Sequence, residues 1–467
     1  MTRKLMMFGL LLFSSAASAM SLDWTGTYRA EWLHLDRPSL ATPSERKSYG
    51  LHYLSLSPKI VASDGINIIG KFDVLGNNDP AYVDSQTGML FGGNEPNPGD
   101  DSANNTMGQS KSFTPFRVSQ LYLTINQEYG SLLVGRAPFE FGLGMLYSAG
   151  NGPFDHWLTT SDFVAYKFIV GNLSFTPMLG RTHVMDWGPG NPGMTQDEII
   201  QIQYDSKDTG SMIGAMMARR KGSESSNDVT DTAIGGVGPA TGGYSMTTTG
   251  FTFGRTWESF KFKMEAQFLK GSYGIRTATG ENIENSSYGV ALEMDFPRPQ
   301  SKWEGGMKLG VASGDDSGTT SQEGFFFHRN YDVAMLLFNH RLGQRDFFRT
   351  NELVKDSTHT LSDSLDDETI SNVAYLAPQL RYAWSPRLSV KNTLIYAQLM
   401  ANSTGTANAK KDLGLEWDIS VDYQARENVR WENRVGLLFP GGAFKDGASD
   451  LTNGFTYGFE TRAAITF

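Results

Sequence analysis

Between Phe260 and Phe268 the chain changes character at every residue. Phe260, Phe262, Met264, Ala266 and Phe268 are apolar, while Lys261, Lys263, Glu265 and Gln267 are polar or charged. Successive side chains of a strand point to opposite faces, so this period of two predicts a strand with one oily and one wet side. The pattern recurs. Tyr288, Val290, Leu292 and Met294 oppose Gly289, Ala291, Glu293 and Asp295, and Trp303, Met307, Leu309 and Val311 oppose Glu304 and Lys308. Leu413, Leu415, Trp417, Ile419, Val421 and Tyr423 oppose Glu416, Asp418 and Asp422. The end of the chain does the same, with Phe455, Tyr457, Phe459, Ile465 and Phe467 set against Glu460 and Arg462.

The connections alternate too. Short ones fall at 63–65, 171–172, 297–301 and 385–387; long polar ones fall at about 76–115, 222–244 and 313–371. A soluble sandwich has short loops at both ends. Short turns at one end and long loops at the other predict an all-β fold, a transmembrane antiparallel up-and-down β-barrel. Counting alternating segments from residue 22 to residue 467 gives 18 strands, an even number that brings both termini to one side. The alternatives are 16 and 20; the larger count requires Val333–Phe338 and Phe347–Leu353 to be strands, and neither alternates cleanly.

The N-terminus changes the picture. Arg3 and Lys4 precede an apolar run from Leu5 to Phe13, followed by Ala17-Ser18-Ala19. That predicts a secretory signal peptide over 1–19, leaving 20–467 as the barrel. The run is too short to span a bilayer, and no later stretch offers about 18 consecutive apolar residues. There is no Cys, so an exported chain of this size must hold itself without disulfides, which the closed backbone ladder of a barrel does. The net charge of −10 argues against nucleic acid as a partner.

A chain that ends on an aromatic strand resembles the bacterial outer-membrane barrels. In that class the final strand is read by the barrel assembly machinery, which implies an assembly signal at Phe467, Ile465, Phe459 and Tyr457. Two motifs are similar to porin-like Gram-negative outer-membrane proteins. One is Val134-Gly-Arg-Ala-Pro-Phe-Glu-Phe-Gly-Leu-Gly-Met145 with Gly150-Asn151-Gly152; the other is Gly310-Val-Ala-Ser-Gly-Asp-Asp316 with Phe327-His-Arg-Asn-Tyr-Asp-Val333. More distantly they resemble the alginate-export type of 18-stranded barrel. That type has an Arg- and Lys-rich lumen, from which this chain departs.

A barrel of this size encloses an aqueous channel, so its inner face carries the chemistry. Alternation predicts a pore lining of Arg29, Glu31, Lys59, Lys71, Asp73, Lys167, Lys261, Lys263, Glu265, Glu293, Asp295, Glu304 and Lys308. Glu416, Asp418, Asp422, Arg430, Glu432, Arg434, Glu460 and Arg462 continue it. The signs are mixed. If Tyr423 opposes Val429, then Asp422 faces Arg430 and Asp418 faces Arg434. Phe262, Leu415 and Val421 are expected at lipid, and Lys263, Glu416 and Asp422 at water.

Catalytic signals are weak. Asp155-His156 and His183 with Asp186 are the acid–histidine neighbours, read as surface loop residues, and no enzyme, cofactor or metal site is expected. The acidic runs at 100–101, 315–316 and 366–368 lack calcium-loop spacing. The reading is a passive porin-type channel for small hydrophilic solutes. The alternatives are a surface-interaction barrel with a filled lumen, and a channel specific for an oligosaccharide or a hydrophobic solute. Expected partners are outer-membrane lipid and lipopolysaccharide, the assembly machinery and the solutes themselves; a homo-oligomer is left open. The apolar stretch Phe325 to Phe338, inside the longest loop, cannot sit in water. It should cap the rim or fold into the lumen as a constriction.

Overall fold

The computed structural model describes residues 21–37, 40, 46–77, 88–91, 113–183, 194–222, 245–276, 282–316, 321–340, 342, 369–402, 408–445 and 454–467. The proposed signal peptide and most of the segments 76–115 and 222–244 lie outside them. Eighteen antiparallel strands close into one barrel. The first are β1 (Ser21–Leu35), β2 (Lys47–Ser63) and β3 (Ile66–Asn77), with a short lateral strand β4 (Gly88–Phe91) attached to β2. Then come β5 (Phe113–Gln127), β6 (Gly130–Pro138), β7 (Thr160–Val170), β8 (Leu173–His183), β9 (Met194–Ser206) and β10 (Ser211–Gly222). The second half holds β11 (Ser245–Thr256), β12 (Lys261–Arg276), β13 (Asn282–Phe296), β14 (Trp303–Ala312), β15 (Val373–Ser385) and β16 (Leu388–Leu399). It ends with β17 (Asp412–Arg426), β18 (Val429–Pro440) and β19 (Thr456–Thr466).

Each barrel strand pairs with the next, and β19 returns to β1 from Thr27↔Thr466 to Leu35↔Gly458. Two backbone bonds fix the seam at its end, Gly26 N–H to Phe467 O at 2.6 Å and Phe467 N–H to Gly26 O at 3.0 Å. No backbone edge is left for lipid, which cannot hydrogen-bond one. The outer face carries a belt of exposed apolar side chains, among them Trp24, Trp32, Leu121, Leu179, Phe268, Leu415 and Trp431.

Three local differences from the alternation have physical causes. A bulge where Ala397 meets Gln398, with Gly414 at φ +99°, turns Leu413 inward, where it is fully buried. Only glycine adopts that backbone freely. A two-residue turn at 427–428, with a bulge at Gln424/Arg426, moves the β17–β18 register by two from the expected pairing, so Asp422 stands opposite Glu432 and Tyr423 opposite Trp431. Asp422 still binds Arg430, diagonally, at 2.7 Å. Asp418 stands opposite Gly436 rather than Arg434. Finally, β6 ends at Pro138, although the sequence pattern extends this strand over 131–146. Gly142 and Gly144, at φ +63° and +75°, bend the chain away from the wall.

Candidate functional site

Two loops fold into the lumen from the long-loop end. The first, residues 139–159, joins β6 to β7. The second lies within 313–372, between β14 and β15. Val333–Phe338 is therefore neither a strand nor a rim cap; it is a buried plug, and Phe347–Leu353 lies outside the described residues. Phe325, Phe327, Tyr331 and Val333–Phe338 join Tyr375, Ile395, Ala397, Leu413 and Leu438 of the wall in one apolar cluster. Burying that much aromatic and aliphatic surface drives the docking.

Polar groups fix its position. Glu416 accepts the backbone N–H groups of Leu336 and Leu337 at 2.7 and 2.8 Å, and Asp418 accepts that of Met335 at 2.8 Å. Arg434 donates to Asp332 at 2.8 Å and lies 3.5 Å from Glu460. Burial alone would raise the Asp332 carboxyl, but Arg434, Arg462 and Lys308 together outweigh it and hold the group well below the usual carboxylate range. Lys308 donates to the Asp332 carbonyl and pairs with Glu293 at 3.0 Å. Glycine clears the wall beneath the loop: a Cβ at Gly458 would lie 2.7 Å from Leu336 Cδ2.

The first loop is gripped at both ends. Glu265 accepts the N–H groups of Leu143 and Met145 at 2.7 and 3.1 Å. Across the barrel Arg29 donates to the Asp155 carbonyl at 2.7 Å and pairs with Glu31. His156 Nε2 sits on the Glu31 carboxylate at 2.8 Å. The Phe154 ring lies under Arg462, 4.5 Å from its guanidinium carbon. Asp155 and His156 are thus lumenal, not surface groups. The Asp155 carboxylate accepts the nearby Gly152 N–H at 2.7 Å, but Arg29 and Glu31, which hold the loop, stand more than a hundred residues away, and nothing local in the sequence pointed to them. The side chains of His183 and Asp186 lie outside those described.

The two loops are stitched together. Asn330 donates to the Trp157 carbonyl at 2.6 Å and accepts the Trp157 N–H at 3.1 Å, and the His328 N–H reaches the Met145 carbonyl at 2.6 Å. A polar cleft of about 230 Å³ remains at their junction, lined by Glu140, Ser148, Asn151, Asp155, Asn330 and Tyr331 among others. Asn151, Gly152 and Asp155 also line a cavity of about 530 Å³ along the β1–β5 wall, with Thr25, Tyr53, Ser55, Lys71 and Gln120. The sequence showed no sign of this cleft beyond the quoted motifs.

The other expected lining residues divide. Glu416, Asp418, Glu265, Arg29, Glu31, Asp73, Glu432, Arg434 and Glu460 are buried beneath or beside the loops. Glu416 is inward-facing but dry. Lys59, Lys167, Lys261, Lys263 and Asp295 are exposed, and Lys71, Glu293, Glu304, Asp422 and Arg430 are half-buried. Arg462 pairs with Glu432 at 2.9 Å. Among the described residues no group of three His, Cys, Asp or Glu is placed to hold a metal ion.

No family model matches the chain, and no curated protein matches it. Solved structures do. OccK9 (OpdG) of Pseudomonas aeruginosa superposes at a TM-score of 0.52 with 11% identity, over 96% of this chain and 98% of that one. A BenF-like porin from Pseudomonas fluorescens Pf-5 gives 0.51 and 12% over the same shares. The fold is that of an outer-membrane porin. A third structure, OccK2 (OpdF) of Pseudomonas aeruginosa in complex with glucuronate, gives 0.50 and 11%, again over 96% and 98%. The fold and the apolar belt place the chain in the cell outer membrane.

Proposed function

We propose that this protein is an outer-membrane channel for the passive diffusion of small hydrophilic solutes, and that its selecting step is the junction of the two lumenal loops. One observation carries the reading. The loops are locked to the wall and to each other, yet the cleft at their junction is lined by Glu140, Ser148, Asn151, Asp155 and Asn330, and the cavity beside it adds Arg29 and Lys71. Polar solutes crossing there exchange water for protein hydrogen bonds and meet no lipid. The predicted lining residues that remain accessible, Lys71, Lys261, Lys263 and Lys167 with Glu293 and Glu304, would tune ion preference. Glucuronate, bound in OccK2, is a natural first probe.

The second reading, a barrel with a filled lumen that serves surface interactions, draws on the same plug. Planar-bilayer conductance and liposome swelling with arabinose separate the two. Discrete conductance steps and swelling support the channel; a folded barrel that gives neither supports the filled lumen.

A further inference from the structure

The lipid face of β10 to β12 changes character at the long-loop end. On β10 the outward side chains run Ile213, Met217 and then Arg219; on β12 they run Phe268 and then Lys270, both cations being exposed. The register sets Arg219 opposite Thr247 and Thr247 opposite Lys270. One rung lower the same strands carry Met217, Thr249 and Phe268. On the same rung Glu198 of β9 stands opposite Arg219, but its carboxylate lies 3.6 Å from Lys221, one rung higher, and Glu284 stands opposite Ser272 at the edge of the patch. Arg219 and Lys270 have no ion pair or hydrogen bond to a described residue.

Height places them. The periplasmic edge of the belt is the aromatic group of Trp257, Phe260 and Phe296. From Phe260 to Lys270 a strand rising roughly 3.4 Å per residue at a tilt of about 40° climbs about 26 Å, the height of an outer-membrane apolar band. Both cations therefore stand where hydrocarbon gives way to headgroups. An unpaired charge facing lipid is costly in hydrocarbon and is drawn to anionic groups at the surface. Strands lie about 4.8 Å apart, so the two backbones are roughly 10 Å apart, within reach of one headgroup. The outward faces of other strands carry Leu376, Tyr396, Leu415, Phe439 and Tyr457 instead.

We propose that Arg219 and Lys270 form a docking site for the phosphorylated headgroup of an outer-leaflet glycolipid, with the Thr247 hydroxyl between them. Arg219 offers a planar fork to phosphate oxygens and Lys270 a point charge. The site lies outside the lumen and rests on the membrane placement, not on the channel reading.

The test uses the folded full-length barrel in detergent, with bisphosphorylated lipid A, the same lipid dephosphorylated, and phosphatidylglycerol as probes. Native mass spectrometry should retain bisphosphorylated lipid A several-fold more than either of the others. The R219Q/K270Q pair should abolish that preference, while K261Q/K263Q, which alters lumenal cations, should keep it. Equal retention by R219Q/K270Q, or phosphatidylglycerol binding as well as lipid A, would overturn the site. If the double variant does not fold, R219Q and K270Q singly must each weaken retention, and two unaffected single variants would overturn it as well.

Discussion

Glu416 on β17 accepts the backbone N–H of Leu336 at 2.7 Å, across 80 residues of chain. With the parallel bond from Leu337, one carboxylate holds two consecutive amides of a loop inside the barrel. A hydrogen bond of this kind contributes roughly 0.5–1.5 kcal/mol net. Glu416→Ala should release the plug without opening the wall, because β17 keeps its ladder to β16 and β18. The expected outcome is larger, noisier single-channel conductance from a barrel that still shifts on heating in gel electrophoresis. Conductance equal to the wild type would show that Glu416 does not hold the constriction.

Removing residues 325–338 should act in the same direction and further. The deleted segment contributes no strand, so the barrel should fold and pass larger solutes in liposome swelling. An unchanged size limit would place the constriction elsewhere; a missing barrel would make the segment part of the fold rather than its contents.

The two faces of β17 can be told apart chemically. Leu415→Arg faces lipid and should cost up to roughly 2–4 kcal/mol if it sits near the midplane. A water-soluble thiol reagent should not modify Leu415→Cys in either background. Glu416→Cys should also resist it in the intact protein, being covered by the loop, and become reactive once 325–338 is removed. Modification at position 415 instead would mean a register shifted by one, which exchanges the faces.

Docking of the second loop should depend on pH. Burial, with Arg329 beside it, pushes His328 down to about 4, and its Nδ1 accepts the Asn330 N–H at 3.2 Å. In a released loop the ring titrates near 6.5. Between those values the released form binds a proton that the docked form does not, so docking weakens as pH falls from about 6.5 to about 4 and levels off below. Channel opening should rise across that window, and His328→Asn, which retains an acceptor, should flatten the rise. A wild-type profile flat from 6.5 to 4 would count against this coupling.

The wall was legible in the sequence because it obeys a local rule. Lys261 to Phe268 alternates, and the structure alternates with it. The lumen was not legible, because its contacts are long-range. Phe139-Glu140-Phe141 alternates like a strand, and only the bends at Gly142 and Gly144 show that the chain has left the wall. Alternation says that Glu416 points inward, but not that Leu336 and Leu337 arrive from another loop to cover it. Leu413 was misplaced for the opposite reason: a single bulge at Gly414 resets the parity of everything before it. The apolar run Phe325 to Phe338 did give notice that it must be buried, since its composition alone is incompatible with water.

Where the two ends of the chain meet, the wall is held from within. Arg29 and Glu31 of β1 grip Asp155 and His156, Arg462 of β19 stacks on Phe154 of the same loop, and Gly458 of β19 receives Leu336 of the other. The contents of the lumen therefore straddle the only junction that sequence order does not enforce. In such a barrel the residues that close the wall are also those that hold its contents. Its last zipper and its stopper are one assembly, so loosening the stopper should make itself felt at the zipper, the place where opening would strand backbone groups in lipid.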